Sequence, residues 1–279
     1  MDIKNLIAAS PDRETHRGKI IVVKYGGNAL ADGGNGAAAF AEDIAALVSA
    51  GIKPVVVHGG GPQIDAALKA ADIHSEFVRG LRVTTADAIA VIEKVLCHDV
   101  NGEITHALRA AGVKAEGISG KTENLISVEK LQSSEADYGF VGEIKAIHAD
   151  AVRRMIDAGV VPVIAPIGVG PEGESFNINA DTAAGAIAGA LAAYRFFLLT
   201  NVAGVLNADK NPISELSAAH ARAMIADGTI AGGMIPKVET CLGAIAAGAG
   251  AAVILDGRVP HTVLLDLFTP NGAGTLVRG

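Results

Sequence analysis

Three side chains in this sequence carry the charges that moving a phosphoryl group requires: Lys24, Asp181 and Lys237. Phosphoryl transfer asks little covalent chemistry of a protein. It needs the charge on the moving group neutralised and the attacking and leaving oxygens held in line. A lysine ammonium is a compact point charge suited to that task, and an acid between two lysines would hold both heads in place. Two glycine-rich turns add backbone donors. Gly26-Gly27 follows Lys24 almost directly, and Gly59-Gly60-Gly61 is followed by Pro62. Each lysine taken alone also fits a solvated position at the end of a strand or helix, and spacing alone does not bring the three charges together.

The elements around these residues follow from hydrophobic pattern. IIVVKYGG (residues 20–27) is a continuous β-branched run, the mark of a strand buried on both faces in the middle of a parallel sheet. Open α/β sheets bind ligands beyond the carboxyl ends of their strands, which is where Lys24 stands. PVVVHGGGPQI (54–64) predicts a strand, a tight turn and a helix opened by proline. Free amides and the positive helix end would there point at one spot, an anion-binding turn. FVRGLRVT (77–84) predicts extended chain bent at Gly80, with Arg79 and Arg82 close to the bend and able to fork onto a carboxylate. Thr85 or Asp87 caps a long helix with the stripe Ile89, Ile92, Leu96, Val100, Ile104 and Leu108, and Cys97 and His98 lie beside it.

AEGISGKT (115–122) differs by one residue from the phosphate loop GxxxxGK[ST], with Ala115 in place of the first glycine. That loop must open a helix, whereas NLISV (124–128) predicts a strand. A hairpin region including residues 138–147, a helix over 149–158, a strand over 160–164 and a turn-rich loop over 168–175 come next. In FNINADTAAGAIAGALAA, Asn177, Asn179 and Asp181 alternate along one face of an extended segment entering an alanine-rich helix. Asn179 or Asp181 is its N-cap. A strand over 196–200, a helix near 217–227, a helix from Lys237 to 247, a strand over 252–255 and two extended segments, 262–268 and 275–277, complete the pattern.

Composition narrows the class. The chain has 279 residues, half of them hydrophobic, no Trp, and a net charge of −7, which argues against a general nucleic-acid binder. Residues 1–18 are too polar and charged for a signal peptide, and fit an N-terminal arm or short helix broken at Pro11. The longest apolar run, 242–255, is too short to span a bilayer. Cys97 and Cys241 show no metal-ligand spacing, so a cytoplasmic chain with reduced thiols and no membrane partner is expected.

The motifs VVKYGGNAL, VVVHGGGPQI, GLRVT, NINAD and GGMIPKVE occur in this order, and with them the chain closely resembles the N-acetylglutamate kinases of the amino-acid kinase family from residue 19 to 277. The resemblance implies a three-layer αβα sandwich around a mostly parallel sheet, with an acetylglutamate lobe over 19–175 and an ATP lobe over 176–279. It implies transfer from ATP to the γ-carboxylate of N-acetyl-L-glutamate, the second step of arginine biosynthesis. Lys24 and Lys237 match the lysines that stabilise the transition state, and Asp181 the acid that orients them. Gly60 and Gly61 match the glycines whose amides hold the phosphoryl group and the γ-carboxylate. Arg82 matches the grip on the α-carboxylate, and Asn177 and Asn179 fall on the substrate side. Asn201, Gly204, Val205, Leu206, Gly233, Met234 and Lys237 lie in the nucleotide segments. Mg²⁺ arrives with ATP rather than in a protein site.

Two positions depart from the family pattern: Asn201 stands where Asp is usual, and Asp266, in the segment LLDLFTPNGAGT that resembles an arginine site, stands where Glu is usual. The resemblance also brings L-arginine as a candidate feedback inhibitor, a homodimer or homohexamer, and a PII-type signalling protein as a candidate partner. Two alternatives stay beside it: a sister kinase acting on acetylaminoadipate, carbamate or another amino-acid acceptor, and a weakly active arginine-binding regulatory subunit.

Overall fold

The computed structural model describes residues 3–26 and 35–279. Gly27, the end of the first motif and residues 31–34 lie outside the described residues. In chain order, α1 (Ile3–Ala9) and α2 (Arg13–His16) precede β1 (Ile20–Tyr25), α3 (Asn35–Ser49), β2 (Lys53–His58) and α4 (Gly61–Ala70). The hairpin β3 (Glu76–Val78) and β4 (Leu81–Val83) leads to α5 (Ala86–Lys94), a π-helical turn Val95–Val100 and α6 (Asn101–Ala110). Next come β5 (Ala115–Ser119), β6 (Ile126–Lys130), β7 (Gly142–Ile147), α7 (Asp150–Asp157) and β8 (Val161–Ala165). They are followed by β9 (Ile167–Val169), β10 (Ser175–Asn177), α8 (Ala180–Ala190) and β11 (Arg195–Thr200). The remaining elements are β12 (Glu215–Ser217), α9 (Ala218–Ala226), α10 (Met234–Ala246), β13 (Ala252–Asp256), α11 (Thr262–Phe268) and β14 (Thr275–Arg278).

The main sheet has eight strands in the order β12-β14-β13-β11-β1-β2-β8-β5. Its pairs are parallel except β13 with β14. β1 lies between β11 and β2, and Lys24 stands opposite Leu198 and Val57. Alternation along β1 divides the core. Ile21 and Val23 pack with α3, α4, α5, α6 and α11 on one side, while Val22 packs with α7, α8, α9 and α10 on the other. The expected αβα sandwich follows, because a strand covered on both faces has no position left for a polar side chain until its end.

Three segments differ from the sequence-based expectation. The long helix contains a π-helical turn. Its buried residues Ile92, Leu96, Val100, Ile104 and Leu108 repeat every fourth position. A spacing of four drifts off one face of a 3.6-residue helix, and a wider π turn takes up that drift. Residues 262–268 form helix α11, not an extended segment. Thr262, Val263, Leu264, Asp266, Leu267 and Phe268 are all buried, so the run shows no helical stripe, and packing against α1 and α3 fixes its form. Residues 168–175 are not a loop throughout, since β9 and β10 pair antiparallel across a turn closed by the Gly170 N–H on the Glu174 carbonyl.

In the first segment α1 stops before Pro11, and a single further turn, α2, follows it where the sequence predicted no second helix. His16 is buried, its Nε2 lying 2.9 Å from the Leu267 carbonyl, and its ring packs on Tyr194 and Phe268. No helix among the described residues is long and apolar enough to cross a membrane. Both cysteines are free thiols.

Candidate active site

At the carboxyl end of β1, Lys24 reaches across to Asp181 on α8, with Nζ to Oδ1 at 2.9 Å. The other carboxylate oxygen lies 3.5 Å from the Nζ of Lys237, in the first turn of α10. Three groups far apart in sequence thus form one cation–acid–cation bridge. Burial favours the neutral form of Asp181, but the two ammonium groups outweigh it and hold its carboxyl below the usual range. Asp181 is therefore ionised at neutral pH and serves as a fixed negative anchor for two positive heads.

Local structure sets each member. Asn179 caps α8, its Oδ1 accepting the N–H groups of Asp181 and Thr182 at 2.9 and 3.1 Å. That leaves the Asp181 side chain free to point away from the helix. α8 and α10 approach closely because glycine and alanine meet between them. A Cβ at Gly189 would lie 2.4 Å from the Ala247 Cβ, and one at Gly185 would lie 3.0 Å from the Thr240 Cγ2. Cys241, one turn beyond Lys237, is fully buried behind the site, and burial pushes its thiol upward.

The glycine turn faces this bridge. Gly59 gives its N–H to the Tyr25 carbonyl at 2.8 Å, tying the end of β2 to β1. Gly60 is the N-cap of α4 and Gly61 its first residue. Their amides have no intrahelical acceptor, and the helix end adds positive potential. A side chain at Gly60 would meet the Leu96 Cδ2 at 2.8 Å, so only glycine fits there without a shift. At the far wall, Arg82 is buried, its Nη1 donating to Asp65 at 2.6 Å and also to Ser75. Its guanidinium carbon stands 4.4 Å from the centre of the Phe77 ring. Arg79 is exposed in the hairpin turn and pairs with Glu135 instead.

Lys24, Gly60, Gly61, Arg82, Asn177, Asn179 and Asp181 all line one cavity of about 340 Å³. Asn177 also donates to the Thr84 hydroxyl at 3.2 Å. The structure thus brings together the residues expected on the substrate side. The residues expected to hold the nucleotide do not line that cavity. Asn201 is exposed beyond the end of β11. Val205 is anchored by Thr275, whose hydroxyl accepts its N–H at 2.8 Å, and a Cβ at Gly204 would meet that hydroxyl at 2.6 Å. Leu206 is 43% exposed, Gly233 caps α10 and Met234 opens it.

Sequence patterns missed Asp65 and Ser75, which orient Arg82, and Phe77, which covers it. A lone acid on the polar side of α4 carries no signal of such a duty. The segment resembling a phosphate loop runs into the 3₁₀ turn Thr122–Asn124 and then β6, and Lys121 is held by Glu93 and Ser175. As expected, it opens no helix.

The amino acid kinase family model matches residues 19–256, a span containing the bridge, the glycine turn and Arg82. The chain belongs to the amino acid kinase family. Within this family it is 52% identical to the acetylglutamate kinase of Gluconobacter oxydans, over 98% of this chain and 96% of that protein. It is 50% identical to the acetylglutamate kinase of Novosphingobium aromaticivorans, over 99% and 95%. A solved structure of N-acetylglutamate synthase from Neisseria gonorrhoeae, complexed with coenzyme A and N-acetyl-glutamate, superposes with a TM-score of 0.86 at 25% identity. The match covers 99% of this chain and 63% of that synthase, so this kinase-family chain spans less than two thirds of the synthase.

Proposed function

We propose that this chain is an acetylglutamate kinase, transferring the γ-phosphoryl group of ATP to the γ-carboxylate of N-acetyl-L-glutamate in the second step of arginine biosynthesis. The observation that carries this is Asp181 bridging Lys24 and Lys237 beside a cavity whose opposite wall presents Arg82. A carboxylate oxygen attacks the γ-phosphorus, the bond to the β,γ-bridging oxygen breaks, and ADP leaves with that electron pair. The products are ADP and N-acetyl-L-glutamyl 5-phosphate. No proton has to move, because the nucleophile is already an anion, so the site needs no general base. Asp181 orients Lys24 and Lys237, whose charges neutralise the transferring group.

Arg82 takes the substrate α-carboxylate, and Asn177 and Asn179 flank it. Gly60 and Gly61 hold the γ-carboxylate and phosphoryl oxygens with their amides. Asn201, Gly204, Val205, Leu206, Gly233 and Met234 hold the nucleotide, so 176–279 is the ATP lobe and 19–175 the acceptor lobe, with Asn177 and Asn179 reaching the acceptor from just past the boundary. Both oxygens of Asp181 are engaged by lysines, and among the described residues no three His, Cys, Asp or Glu groups could hold a metal ion together. This suits Mg²⁺ carried by the ATP phosphates, where it supplies further charge neutralisation.

The proposal extends to a cytoplasmic homodimer or homohexamer inhibited by L-arginine, with a PII-type protein as a further partner. Asp266, in the segment resembling an arginine site, is buried and already accepts a guanidinium, that of Arg195, at 2.9 Å. The test is acyl phosphate formation trapped as the hydroxamate, from ATP, Mg²⁺ and acetylglutamate, with and without millimolar L-arginine. Hydroxamate is expected with acetylglutamate and not with aspartate or glutamate. Its absence with acetylglutamate would overturn the assignment, and activity unchanged by arginine would remove the feedback role.

A further inference from the structure

His58 ends β2 immediately before the glycine turn, and it is completely buried. Its Nδ1 lies 2.8 Å from the carbonyl oxygen of Gly59. A carbonyl only accepts, so Nδ1 bears a proton. Its Nε2 lies 3.1 Å from the Nδ2 of Asn101. The same Nδ2 lies 2.9 Å from the Val163 carbonyl and 3.3 Å from the Ile118 carbonyl, groups that only accept, which fixes the orientation of that amide and shares its two protons among three acceptors. Nδ2 is therefore a donor and the imidazole Nε2 an acceptor. The two contacts together specify one tautomer of a neutral ring.

The consequence falls on the next peptide. In a planar trans peptide the C=O and the following N–H point in opposite directions. Gly59 C=O is drawn back onto the buried imidazole, so the Gly60 N–H is turned the other way, and Gly60 lines the cavity. Asn101 is itself closely fitted. It is 3% exposed, and a Cβ at Gly117 would lie 1.8 Å from its Oδ1. It directly follows the π-helical turn Val95–Val100, whose Leu96 and Val100 pack beneath Gly60. One irregular turn thus supports the glycine from below and delivers the amide that holds the histidine. π-turns recur at functional sites for such repositioning.

We propose that His58 and Asn101 are positioning residues of the phosphoryl-transfer site, setting the Gly59–Gly60 peptide so that the Gly60 N–H faces the reacting oxygens. The effect on rate rests on the kinase assignment above, whereas the tautomer does not. The first test is the ¹⁵N spectrum of histidine-labelled protein at pH 7, with the His58 signal assigned by its loss in His58→Asn. A proton on Nδ1 and none on Nε2 is expected. A ring protonated on Nε2, or on both nitrogens, overturns the proposal.

The second test is steady-state kinetics. Asn places an N–H near the Nδ1 position of histidine, and Leu does not. His58→Leu is expected to lower kcat by about 10- to 100-fold, the scale for a displaced oxyanion donor, with the KM for ATP unchanged. His58→Asn is expected to recover most of that loss. Equal kcat values for the two variants, or an effect confined to KM, overturn the positioning role. A wild-type protein that forms no hydroxamate overturns the kinase assignment instead. If His58→Leu does not fold, the wild-type tautomer still decides.

Discussion

A carboxylate as enclosed as Asp181 would ordinarily take up a proton, and it stays ionised because Lys24 and Lys237 flank it. The lysines gain most when negative charge gathers between them, which is at transfer rather than at binding. Lys237→Ala should therefore lower kcat by about 10²- to 10³-fold while the KM for acetylglutamate changes little. Initial-rate measurements across both substrates check this, and a raised KM with unchanged kcat would contradict it. Arg82 touches a part of the substrate that does not react. Arg82→Ala should raise the acetylglutamate KM about tenfold or more, consistent with a lost charge-assisted pair. His58 gives a pH signature of its own. Burial pushes its pKa down to about 4, against the pull of the Gly59 carbonyl, while the unfolded residue titrates near 6.5. Between those values the unfolded state alone takes the proton. This stability is fully present above pH 6.5 and falls by on the order of 3 kcal/mol by pH 4. Urea midpoints of wild type and His58→Asn should accordingly draw together as the pH is lowered from 7 to 5.

At the scale of elements, the distance between Asp181 and Lys237 is set by how closely α8 and α10 can approach. Gly189→Ala would place a methyl group against Ala247. The expected cost is about 1–3 kcal/mol of stability, read from urea unfolding, together with a fall in kcat as the bridge widens. Unchanged activity and unchanged stability would show that the helix contact does not set the site. β1 and β2 were legible in the sequence because strands buried on both faces are written as unbroken β-branched runs. Asn179, Asn177 and Asp181 were legible as an alternation entering a helix. α11 was not, because burial on most sides erases the stripe that marks a helix. The π-helical turn left only an indirect trace, a four-residue spacing that fits no single regular helix. The GKT segment shows the opposite case, a near-match to a phosphate loop set aside by the strand that follows it.

Across the whole molecule, β1 pairs with β11, so the sheet continues from the acceptor side to the proposed nucleotide side without a break. The five ordered motifs made the mostly parallel sheet readable. The partners of Arg82 were not readable, because Asp65 and Ser75 reach it only through the fold. Each ligand should stabilise the folded chain by mass action, about 2.7 kcal/mol at a hundred times its Kd. Thermal shifts should appear with acetylglutamate and with a non-hydrolysable ATP analogue. Arg82→Ala should abolish the first and leave the second. Loss of both would place Arg82 in general folding rather than in substrate recognition.

Cys241 gives the molecule a built-in clock. It lies on α10 one turn from Lys237, wholly enclosed, with a thiol that burial keeps protonated. An alkylating reagent can reach that sulfur only when the packing around α10 opens. The rate at which Cys241 is capped, read by peptide mass apart from the partly buried Cys97, therefore times the opening of the core beside the reaction centre with no substitution in the chain.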